Sequence, residues 1–153
     1  MNLFSNLFNK KKNECPRCLG KGHVDLNDIK RLRKELIWVP GQCAYCNGQG
    51  KVASDLHTKI SPDNAFLTTD LSSKERRELL RGDSTMLRLS AEYEKSISIF
   101  IEQIRYLHKE GRMDANTITS FLIISRSGEE VPLQEKDELK KYIEKIIIHQ
   151  EAS

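Results

Sequence analysis

The sequence predicts a mostly α-helical protein that carries, near its start, a small zinc-ribbon or β-hairpin module with a helix inserted in it. Three observations predict this. Every cysteine lies in two short copies of one phrase between residues 15 and 50. A charged stretch with apolar residues at helical spacing separates the copies. Beyond residue 70, apolar residues recur every three or four positions in stretches bounded by Ser, Asp, Gly and Pro, the pattern of an amphipathic helical bundle.

The first copy is Cys15-Pro16-Arg17-Cys18-Leu19-Gly20-Lys21-Gly22 and the second is Cys43-Ala44-Tyr45-Cys46-Asn47-Gly48-Gln49-Gly50; both read C-x-x-C-x-G-x-G. Two thiolates on one tight turn can reach a single ion, and a second such turn completes a tetrahedron. Cys15, Cys18, Cys43 and Cys46 are therefore the candidate ligands of one structural Zn²⁺. Four thiolates leave no coordination position for water or substrate, so the expected site is structural rather than catalytic. Gly20, Gly22, Gly48 and Gly50 suit a chain leaving a metal-bound turn, where positive φ or close backbone approach is needed. A redox role for each C-x-x-C is the competing reading. Two copies, each trailed by G-x-G, favour metal. His23 follows the first turn, but four cysteines already complete the set, and His57, His108 and His149 stand isolated.

The repeated phrase resembles the cysteine-rich zinc finger of the DnaJ co-chaperone family, over residues 15–52. In that family the repeats usually number four and bind two zinc ions, so the two repeats here imply one. The resemblance implies a zinc-held β-hairpin module that contacts non-native or partner polypeptides. No His-Pro-Asp, the mark of a J-domain, is present; the nearest string is Ser61-Pro62-Asp63. Stimulation of a partner chaperone's ATPase is therefore not implied.

The remaining elements follow in order. Residues 1–12 form a short amphipathic tip, with Leu3, Phe4, Leu7 and Phe8 on one face and Lys10-Lys11-Lys12 behind. The zinc module occupies 13–53. Inside it, residues 25–38 read as a helix with Asp25 or Asn27 as N-cap, Ile29, Leu32 and Leu36 on one face, and Pro40-Gly41 as the stop. Residues 54–69 are polar and read as a linker to a helical domain over 70–150. Ser72 and Glu75 have capping-box spacing for a helix ending near Arg81-Gly82. A long helix over 84–110 carries the seam Met86, Leu89, Tyr93, Ile97, Phe100, Ile104 and Leu107. Asp114 caps a segment through Ile118, Phe121, Leu122 and Ile124 that reads as helix, with a buried strand over 121–124 as the alternative, and Ser127-Gly128 breaks it. The last helix spans 133–150, with Leu139, Tyr142, Ile143, Ile146 and Ile147 on one face. The run Ile146-Ile147-Ile148 is wider than one stripe needs, which points to the bundle interior or to a homo-oligomer interface.

Composition narrows the function. Of 153 residues, 38% are apolar and 31% charged, with a net charge of +3, carried as +6 over residues 1–60 and −3 over 61–153. No run approaches the ~20 apolar residues of a membrane span, and the start lacks signal-peptide character. A cytoplasmic protein is expected, where paired cysteines usually bind metal. No Ser–His–Asp order, phosphate loop or H-E-x-x-H is present, so no enzymatic activity is expected. Two functions remain. One is a protein-interaction adaptor, with Trp38 and Tyr45 as candidate partner-binding aromatics. The other is a nucleic-acid or ribosome-associated protein that uses Lys30, Arg31, Arg33 and Lys34 as a basic ridge. The family resemblance favours the adaptor.

Overall fold

The computed structural model describes residues 11–126 and 130–153. The amphipathic tip, up to residue 10, and the expected break at Ser127-Gly128 lie outside the described residues. The chain forms two compact units, the first ending at Glu94 and the second running Lys95–Ser153. As the sequence indicates, small β-pairings surround the cysteines and helices make up most of the rest.

In the first unit, strand β1 (Lys12–Glu14) leads into the first cysteine turn and β2 (His23–Val24) leaves it. Strand β3 (Gly41–Gln42) leads into the second turn and β4 (Lys51–Ala53) leaves it. The pairing crosses between copies. β1 runs antiparallel to β4 with Asn13 opposite Val52, and β2 runs antiparallel to β3 with His23 opposite Gln42. Two further bonds extend the ladders: Cys15 N–H donates to Gly50 O (2.8 Å) and Cys43 N–H to Gly22 O (3.0 Å). The two copies of the phrase are thus related by a near-twofold arrangement.

Helix α1 (Leu26–Arg31) is capped at Asp25, whose side chain accepts from the Asp28 N–H while the Asp28 carboxylate accepts from the Asp25 N–H. It ends well short of the expected Trp38. Arg33 adopts φ +56°. Its N–H donates to Lys30 O, and the Lys34 N–H reaches back to Ile29 O. This closure satisfies the terminal carbonyls and turns the chain. A tight turn then follows, with Ile37 and Trp38 N–H groups both donating to Lys34 O. The reversal brings Ile29 and Trp38 into one interior, and Leu36 is buried too, each no more than 9% exposed.

Residues 54–69 are not a linker. They contain helix α2 (Leu56–Lys59) and bury Ile60, Ala65 and Leu67, each at 2% exposure or less. Their polar composition misleads because backbone carbonyls here are satisfied by a side chain from the first cysteine turn. Helix α3 (Ser73–Leu80) carries the expected Ser72–Glu75 capping box and buries Leu79 in the same core. Helix α4 (Ser84–Lys109) begins in this unit, where Asp83 accepts from the Met86 N–H and Met86 and Ser90 are buried. The expected 70–150 domain is therefore divided: its opening belongs to the metal-bearing unit.

The second unit holds the rest of α4, with α5 (Ala115–Arg126) and α6 (Leu133–Glu151). Residues 121–124 are helical, and Asp114 caps α5 by accepting from the Thr117 N–H (2.8 Å). Ile101, Ile104, Ile118, Leu122, Ile143 and Ile146 form the interior. Phe100 stacks on Tyr142, centroids 6.2 Å apart, and the Arg126 guanidinium lies over the Phe100 ring, 5.1 Å from its centroid. The continuous seam read along α4 does not hold: Leu89 and Tyr93 are exposed, and Ser90 takes an inward position instead. The isoleucine run also divides, with Ile146 fully buried and Ile148 exposed. Among the described residues no helix is long and apolar enough to cross a membrane.

Candidate metal centre

The crossed ladders bring the two cysteine turns face to face. Cys15, Cys18, Cys43 and Cys46 are 0–5% exposed, and their Sγ atoms all lie within 4.8 Å of one another. Cys15 and Cys43 stand 3.8 Å apart, as do Cys18 and Cys46. Thiolates held tetrahedrally ~2.3 Å from zinc are separated by about 3.8 Å along each edge. The four residues therefore fit one structural zinc ion. Without a cation, crowding and burial disfavour the thiolates: Cys43 is pushed far above the usual range by its hydrogen bond with Cys15 and by burial, and Cys18 is raised by burial. A divalent cation reverses that preference by stabilising thiolates.

Backbone groups complete the surroundings. Gly22 N–H donates to Cys18 Sγ and Gly50 N–H to Cys46 Sγ, both at 3.2 Å. All four motif glycines have φ between +74° and +82°. Two of them also face bare backbone: a Cβ on Gly22 would sit 2.5 Å from Gly48 O, and one on Gly50 would sit 2.3 Å from Gly20 O. Both reasons for glycine anticipated from the spacing therefore apply, and each copy's final glycine is fixed by the other copy.

The sequence reading missed the two cations that flank the centre. Arg17, inside the first turn, is 2% exposed. Its Nε donates to Pro62 O (2.7 Å), Nη1 to Leu67 O (2.7 Å) and Nη2 to Asn64 O (3.0 Å). Its guanidinium lies 4.3 Å from the Trp38 ring and 5.4 Å from that of Tyr45. Arg76, on α3, donates from Nε to Ala44 O (2.9 Å) in the second turn. Burial lowers the pKa of both, while nearby cysteine charge favours their protonated forms. An arginine between two metal-binding cysteines was the available signal.

The candidate partner-binding residues fare differently. Trp38 and Tyr45 are core residues, 7% and 1% exposed, with Trp38 Nε1 directed to Ala65 O and Tyr45 OH donating to Ile60 O (2.7 Å). Burial leaves each of them little surface for a partner. The four basic residues form no uniform ridge. Lys30 and Arg33 are exposed and Lys34 is half-buried. Arg31 is exposed as well, but its guanidinium is engaged, donating to Arg17 O (2.7 Å) and pairing with Asp28. His23 is exposed on β2 and is not among the clustered ligands.

Fold and site together define a zinc-finger-like module built into a larger helical chain. The chain matches no protein-family model, no curated protein and no solved structure.

Proposed function

We propose that this chain is a non-enzymatic, zinc-stabilised protein-interaction adaptor, co-chaperone-like in the sense that its DnaJ-type repeats present a surface to polypeptides. The observation that carries this reading is the closed, buried four-cysteine set, which has a structural role and leaves no position for chemistry. Contact falls to apolar residues left outside: Leu19, Leu26 and Val39 are 51%, 71% and 77% exposed around the module. A groove of about 160 Å³, lined by Val24, Ile37, Trp38, Val39, Ala44 and Leu67, runs beside Val39. Self-association through the helices and a cytoplasmic location belong to the same reading.

The nucleic-acid alternative loses support on two counts. Arg17, Arg31 and Arg76 are spent on internal carbonyls. A zinc tetrathiolate also adds two negative charges to the basic end of the chain. The test is capture of bound material from the native host with and without nuclease. Leu19→Ser with Val39→Ser should abolish nuclease-resistant protein capture, while Lys30, Arg33 and Lys34 changed to Gln should leave it intact. Salt-sensitive RNA binding removed by the triple change, with protein capture indifferent to the first pair, would overturn the adaptor in favour of the alternative.

A further inference from the structure

We propose that Arg17 is the counter-ion of the zinc tetrathiolate, and that through it the metal locks residues 61–67 and the start of α4 in place. The inference concerns a coupling device inside the first unit and does not depend on which partner the chain binds.

A guanidinium at 2% exposure, bonded to three neutral carbonyls, is a buried charge without a matched acid in direct contact. Carbonyls satisfy its hydrogens but do not neutralise it, and a buried unpaired charge is strongly destabilising. No acid is among its hydrogen-bond partners, and Arg17 sits in the ligand turn itself, between Cys15 and Cys18. Zinc bound by four thiolates carries two net negative charges, on the two cysteines that bracket Arg17 and on the two facing them. Arg76 serves the second turn in the same way from α3, though less deeply buried.

The far side of the guanidinium gives the arrangement its consequence. Its three acceptors, Pro62, Asn64 and Leu67, span one segment that lies 45 to 50 residues further along the chain. That segment buries Ala65 and Leu67, and it is also held by α4. Asn64 Nδ2 donates to Ser90 Oγ (2.7 Å), the Ala65 N–H donates to Glu94 (2.8 Å), and Asn64 Oδ1 accepts from the Leu67 N–H (3.0 Å). A continuous set of contacts therefore runs from the first cysteine turn through Arg17 and Asn64 to Ser90 and Glu94. When the metal leaves, the turn that positions Arg17 is no longer held, and the segment it clamps is released with it.

The test uses the full chain under reducing conditions, with Zn²⁺ itself as the ligand. Amide hydrogen exchange is read at Ala65 and Leu67, and zinc release is timed with a chromogenic chelator. Removing zinc from the unmodified chain should speed exchange at both amides by about tenfold or more, with amides of α6 unchanged. Arg17→Met should release zinc about 10–100-fold faster, the range for residues that support metal ligands. Arg17→Lys should retain zinc much better than Arg17→Met, because it keeps the charge, yet exchange fast at Ala65 and Leu67, because it lacks the planar fork. Should Arg17→Met fail to fold, Asn64→Ala supplies the same readout from the other end: fast exchange at Leu67 with zinc release unchanged. Wild-type zinc release from Arg17→Met would remove the counter-ion role. Unaltered Ala65 and Leu67 exchange after zinc removal would remove the coupling.

Discussion

Gly22 and Gly50 are set apart from the other glycines by what lies in front of them. At both, a methyl group would meet a carbonyl oxygen at 2.5 Å or less while the backbone holds a positive φ. The left-handed conformation alone costs about 1–2 kcal/mol for an L-residue, and the opposing atoms are backbone and cannot swing away. Gly22→Ala and Gly50→Ala should each lower the stability of the zinc-loaded chain by more than ~2 kcal/mol in a denaturant titration. Gly41→Ala is the control. Nothing lies within 4 Å of its missing Cβ and its φ is not positive, so the change should stay within ~0.5 kcal/mol. The spacing C-x-x-C-x-G-x-G announced the need for glycine, but the packing of one copy's carbonyl against the other copy's glycine required the folded pair.

Among the elements, α1 is where sequence periodicity overreached. Ile29, Leu32 and Leu36 have helical spacing, and Asp25 caps the start as the sequence indicates, its carboxyl held down to about 2 chiefly by the hydrogen bond from Lys21. Nothing local marks the end at Arg31, because the residue that adopts the left-handed closing conformation is Arg33 rather than Gly or Asn. The demand comes from Trp38, which reaches the face of Arg17 only if the chain turns back. Arg33→Gly should therefore raise stability by about 0.5–1 kcal/mol, by relieving the left-handed penalty at the helix C-terminus without touching the core. A shift of the denaturation midpoint in the opposite direction would mean that the Arg33 side chain contributes contacts that outweigh the backbone strain.

At the scale of the whole molecule, the metal governs more of the chain than the cysteine spacing suggests. Strands of two or three residues cannot persist alone, and structural zinc contributes on the order of 10–16 kcal/mol in small finger peptides. Cys43→Ser, or chelation of the native chain, should abolish one equivalent of bound zinc. It should also loosen residues up to about the middle of α4, α3 included, since Leu79 and Met86 share the core with the cysteines. Helical circular dichroism should fall only in part, because Ile104, Ile118, Leu122, Ile143 and Ile146 belong to the second unit and need no ion. Mild acid should act in the same direction as chelation, because protons and zinc compete for the same sulfurs. Complete loss of helicity on zinc removal would show the two units to be one cooperative structure.

By itself the sequence determined the ligands, their number and the closed character of the site, because metal chemistry is written in residue type and short spacing. It also determined the helices α3 to α6 and their caps at Ser72 and Asp114, because capping and 3.6-residue periodicity act over a few neighbouring positions. Tertiary structure alone decided three other things. It buried Trp38 and Tyr45, it drew the polar residues 60–67 into the core, and it divided α4 between two units. Each depends on Arg17 or on contacts between residues some 15 to 50 positions apart. A buried guanidinium that satisfies the carbonyls of a distant segment makes a polar stretch structural, and no local pattern in that stretch records the fact.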